Sequence, residues 1–127
     1  MSNPVAILFH AGDARTLEFK IYDEDPLDPG QPDLTSPVDL SGATAIRFAI
    51  ADGVTETAHF TKSLAGGDIT VVTGDGGTDN VVRVALAKAD TKDLASGRLY
   101  YELEVTEGGD DWTGPHGEFK LSGSLLK

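Results

Sequence analysis

Strict alternation of apolar and polar side chains is the feature that most limits what this chain can become. In residues 15–22, Leu17, Phe19 and Ile21 fall on one side, and Thr16, Glu18, Lys20 and Tyr22 on the other. In 43–51, Ile46, Phe48 and Ile50 share a face with small residues behind them. The same period places Val82, Val84 and Leu86 together, then Leu99, Tyr101, Leu103 and Val105, then Phe119, Leu121 and Leu125. Successive side chains of a strand point to opposite faces, so each run reads as a half-buried strand. Weaker strands are expected over 5–9, 57–62 and 68–72. No stretch keeps a helical period for any length.

Turn chemistry separates the runs. Ala11-Gly12-Asp13, Ala51-Asp52-Gly53, Ala65-Gly66-Gly67-Asp68, Gly74-Asp75-Gly76-Gly77 and Glu107-Gly108-Gly109-Asp110-Asp111 all mark reversals. Many short strands with frequent turns predict an all-β antiparallel sandwich. One short helical turn is expected near 90–95, with Asp90 as its N-cap, Gly97 ending it and Leu94 tucked beneath. That turn would carry the chain across one end of the sandwich.

At 127 residues, one domain spanning 1–127 is expected. A chain of this size buries roughly two-thirds of its unfolded surface, so a single apolar core holds it without a metal or disulfide. The chain has no Cys, which excludes disulfides, thiolate zinc sites and cysteine nucleophiles. This fits a reducing cytosol and equally a secreted protein without bridges. The formal net charge is −11, a field that repels phosphate backbones and anionic membranes. Neither a nucleic-acid nor a membrane partner is expected. Met1-Ser2-Asn3-Pro4 lacks a basic leader, and no apolar run approaches a membrane span, so cytoplasmic synthesis is expected.

Residues 23–37 hold four of the six prolines and a cluster of acids. They read as one extended irregular loop, partly polyproline-like. It is either an ordered arm lying against a neighbour or a solvated insertion, and the prolines favour the arm. The candidate partner-binding residues are Asp25, Pro26, Asp28 and Pro29 in this loop, together with Tyr100 and Trp112. Tyr100 should face outward, opposite Tyr101, and could form a patch with Tyr22. Trp112 follows an acidic turn, where it either stacks on a ligand or packs at the sandwich edge.

Catalytic and metal chemistry find little foothold. His10, His59 and His116 lack metal-pair spacing, and no serine stands in a nucleophile elbow. Asp23, Glu24, Asp25 and Asp28 cluster, but not in the order of an EF-hand, and the Gly-Asp-rich stretch at 74–79 occurs once, in the wrong register for a calcium-binding repeat. No cofactor is expected, and no enzyme activity.

Four segments together resemble a phage family. They are Phe9 to Ile21 (FHAGDARTLEFKI), Pro37 to Ile50 (PVDLSGATAIRFAI), Asp90 to Val105 (DTKDLASGRLYYELEV) and Gly117 to Leu121 (GEFKL). Their order and spacing are similar to the immunoglobulin-like N-terminal domain of phage baseplate upper proteins and to small stand-alone proteins of tailed-phage genomes. The resemblance covers nearly the whole chain. It implies an immunoglobulin-like sandwich of about seven to nine strands. It also implies a structural role, with members assembling in rings or shells on virions and holding receptor-binding or fibre proteins. It supplies no catalytic residues. In the baseplate proteins a linker and a receptor-binding or docking region follow this domain. Here nothing follows Leu126-Lys127, so a small adaptor, a fibre-base collar or a capsid decoration protein is expected rather than a receptor binder with a second domain.

The expected function is therefore a multimeric tail, baseplate or fibre-attachment component of a virion, assembled in the host cytoplasm with other virion proteins and copies of itself. A capsid decoration or head-spike base protein is the alternative, and a carbohydrate-binding module the second. Exposed sheet edges and the segments Met1–Pro4 and 23–37 are the expected contacts.

Overall fold

The computed structural model describes residues 7–28, 31–53, 55–74, 76–94 and 97–122. The alternating runs become strands in chain order: β1 (Ile7–His10), β2 (Arg15–Lys20), β3 (Tyr22–Glu24), β4 (Pro32–Pro37), β5 (Ala45–Ala51), β6 (Ala58–Ser63), β7 (Ile69–Val72), β8 (Val81–Leu86), β9 (Gly97–Glu107) and β10 (Asp110–Ser122). A single helical turn, α1 (Lys88–Thr91), separates β8 from β9. The expected inward residues through Leu121 are buried except Phe19, which is half-buried against the core. Leu125 lies outside the described residues, as do Met1–Pro4.

Two sheets face each other. One has five strands in the order β1-β10-β9-β5-β6, the other three in the order β2-β8-β7. Immunoglobulin domains place strands G, F and C in one sheet and B, E and D in the other. Here β10, β9 and β5 take the first set and β2, β8 and β7 the second, so the sandwich is immunoglobulin-like. Where antibody domains set a disulfide between strands B and F against a Trp on strand C, this cysteine-free chain packs three rings. Phe19 on β2, Phe48 on β5 and Tyr101 on β9 stand 5.8–6.1 Å apart between centroids. Aromatic pairs at this spacing add about 0.5–1.5 kcal/mol each beyond burial.

Several expectations are corrected. The sandwich is not wholly antiparallel: β1 pairs parallel with β10, Ile7 opposite Phe119 and His10 opposite Ser122. Residues 23–37 are not one irregular loop. They form most of the β3–β4 hairpin, a separate two-stranded sheet in which Tyr22 faces Pro37 and Glu24 faces Pro32. Proline is tolerated there because β4 pairs on one side only, so a missing N–H interrupts no central ladder. This hairpin raises the number of described strands from the expected seven to nine to ten.

The helical turn begins earlier than expected. Ala87, not Asp90, is the N-cap, and Asp90 sits inside the first turn, where its carboxylate accepts the Ala87 N–H at 2.7 Å. A carboxylate at this third position reaches back to the cap as well as a cap side chain reaches forward. Gly97 does not end the helix. It opens β9 with φ +148°, and Lys92 closes α1 in right-handed geometry. The turn does carry the chain from the three-stranded to the five-stranded sheet, and Leu94 does pack on the core.

Strand β10 starts at Asp110, seven residues before the expected Gly117. The reversal uses Gly108 and Gly109 alone, both at positive φ, with Glu107 paired to Asp110. A register shift between Thr113 and His116 accommodates Gly114 and Pro115, which hid the strand from its sequence pattern.

Candidate interaction surfaces

Three surface features follow from this framework. The first is a trough of about 500 Å³ on the outer face of the five-stranded sheet. Cross-strand register builds it: Ala51 lies opposite Tyr100 and Ala49 opposite Glu102, while Glu118 and His116 flank those two from β10. The outward alanines of β5, with Ala58 on β6, leave a low floor, and Tyr100 and the acids rise around it. Arg98 holds Glu118 at 3.4 Å. Glu102 accepts the Thr113 hydroxyl at 3.0 Å, and the His116 Nδ1–H donates to the Gly114 carbonyl at 3.2 Å. Immediately outside the trough, Arg47 is ion-paired with Glu104, which raises the Arg47 pKa further through that hydrogen bond and its charge.

The second is a larger groove of about 690 Å³ between the edges of the two sheets. β1 ends one sheet and β2 the other, and the base of the β3–β4 hairpin borders the gap between them. Leu8, Leu17, Phe19, Tyr22 and Leu34 give the groove its apolar lining, and Arg15, Glu18 and Lys20 line it with charge. Leu8 and Leu34 are 69% and 71% exposed. Arg15 is partly committed, donating to the Leu8 carbonyl at 3.2 Å and lying 5.5 Å from the Phe9 ring centroid.

The third is the hairpin tip. Asp25 accepts the Leu27 N–H through its carboxylate at 2.9 Å. Backbone bonds close the same loop, from Asp25 N–H to the Gln31 carbonyl at 2.8 Å and from Gln31 N–H to the Asp28 carbonyl at 3.1 Å. Local side-chain bonds of this kind fix Asp-led turns. Leu27 is left 94% exposed. Below the tip, Asp33 accepts both the Thr35 hydroxyl and its N–H, which holds its carboxyl below the usual carboxylate range.

The six candidate partner residues are therefore not one patch. Asp25, Pro26 and Asp28 belong to the tip, and Pro29 lies outside the described residues. Tyr100 faces outward as expected, but into the trough, whereas Tyr22 lines the groove, so the two tyrosines form no common patch. Of the two expectations for Trp112, packing against the sandwich holds. It lies on β10 opposite the buried Val105, half-buried against the core.

Leu8, Leu27, Leu34, Glu102 and His116 were not anticipated as surface features. The only advance signal was Leu27 isolated among prolines and acids. Among the described residues, no group of three or more His, Cys, Asp or Glu is placed to hold a metal ion. No described helix is long and apolar enough to cross a membrane. No known protein-family model matches this chain, and no curated protein matches it in sequence.

Proposed function

We propose that this protein is a non-enzymatic structural component of a tailed-phage or phage-like particle, a multimeric adaptor at the tail, baseplate or fibre attachment. The observation that carries this is the hairpin tip. The sandwich presents a hydrogen-bonded turn that carries a leucine 94% exposed. A single exposed leucine is ordinary. One carried on a hydrogen-bonded turn, in a hairpin whose strands border an apolar groove, fits a surface that meets a neighbour. The order and spacing of the four phage-like segments supply the kind of assembly.

The carbohydrate reading loses its main platform, because Trp112 packs against the core. Labelled-antibody electron microscopy on purified particles from the source phage or prophage tests the proposal. Label at the tail tip or fibre base is the expected result. Label over the head would turn the role into capsid decoration, and particles without label would refute a virion role.

A further inference from the structure

We infer that the β3–β4 tip of one copy docks into the β1–β2 groove of the next, so that the chain assembles with itself head to tail. The inference rests on the assembly role proposed above and deepens it by naming the partner, a second copy of this chain.

Among the described residues, the exposed large apolar side chains are Leu8, Leu27 and Leu34. They fall in two places only. Leu27 lies in the Asp25–Asp28 turn of the tip, and Leu8 and Leu34 line the groove. One surface is a hairpin turn and the other a recess of about 690 Å³. Leu27 at 94% exposure does not occupy the groove of its own copy.

Charge follows the same division. Asp25 and Asp28 bracket Leu27. Arg15 and Lys20 line the groove, and Glu18, the acid beside them, is engaged by Arg83 at 3.1 Å. A basic recess on a chain of net charge −11 is a local exception, and the acidic tip is its complement. Asp25, Leu27, Asp28 and Gln31 are already tied by local hydrogen bonds, so docking freezes little additional backbone at those residues. Both complementary halves lie on one chain, which favours a second copy over a foreign partner. The two surfaces differ, so the contact is heterologous, and repeated copies close into a ring or continue as a filament.

The absence of Cys permits a direct test. Leu27→Cys and Leu8→Cys variants, made separately in the full chain, are mixed and oxidised gently. The expected product is a disulfide heterodimer of twice 13.4 kDa, in several-fold excess over either homodimer. In sedimentation, Leu27→Asp, a change at an exposed position, reduces the wild-type oligomer to a 13.4 kDa monomer. Lys20→Glu weakens association several-fold, and Asp28→Lys on the other copy restores it. An oligomer unaffected by Leu27→Asp, or cross-linking confined to homodimers, overturns this docking mode while leaving an assembly role standing. A wild-type chain that remains monomeric at every concentration overturns it as well. The particle-labelling experiment then decides the assembly role on its own.

Discussion

Tyr101 shows how one residue ties the alternation to stability. It is 2% exposed and stacked against Phe19 and Phe48, and burial pushes its pKa up to about 12. In the unfolded chain a tyrosine ionises near pH 10, about two units lower. The raised folded value means that the neutral ring's contribution is complete below about pH 10 and is lost as pH rises through about 12. Urea unfolding at pH 9 and pH 11.5 should show a smaller alkaline loss for Tyr101→Phe than for wild type; equal losses would contradict this. Gly97 is a second single-residue control. Its φ of +148° is closed to side chains with a β-carbon, so Gly97→Val should cost about 1–3 kcal/mol by urea unfolding. The glycine was conspicuous in the sequence, but the reason was not, because its strain belongs to the entry of β9 rather than to a helix end.

At the scale of elements, α1 acts through its contacts more than its length. Thr91 is fully buried, and its hydroxyl accepts the Gly12 N–H at 3.0 Å, joining the helical turn to the β1–β2 reversal. Thr91→Val keeps the shape and orphans that N–H, so a loss of about 1–3 kcal/mol is expected in chemical denaturation. Lys62 on β6 reaches Asp90 of α1 at 2.8 Å, linking an edge strand to the same turn. The hairpin is a different kind of element. It belongs to neither large sheet, and backbone bonds such as Ile21 N–H to Asn80 carbonyl and Val38 N–H to Ile21 carbonyl secure its base. Replacing residues 25–31 with Asn-Gly should therefore leave the melting temperature nearly unchanged while abolishing self-association in sedimentation. Strand interiors were legible because burial follows a two-residue period. The hairpin was not, because prolines mask strand patterns unless the pairing is known. β10 escaped for a similar reason, since Gly114 and Pro115 break its alternation at the register shift.

For the molecule as a whole, the sequence carried the sandwich but not its closure. The inward sets specify two apolar faces, yet the pairing of β1 with β10 joins residues more than a hundred positions apart, and no local pattern announces it. The surfaces were less legible still, since the exposure of Leu8 depends on β1 ending its sheet and that of Leu34 on a hairpin that joins neither large sheet. With no metal-binding group among the described residues, thermal melting should be the same with and without a chelator; a fall of many degrees would reveal a site.

The parallel β1–β10 pair also determines how the fold carries a load. Tension applied at Ile7 and Ser122 pulls two neighbouring strands in opposite directions along their length. Their hydrogen bonds lie across that pull and must yield together in shear, rather than one by one as in peeling. A subunit linked to its surroundings through those two points would resist extension at the seam between its first and last strands, with the core behind it undisturbed until that seam slips.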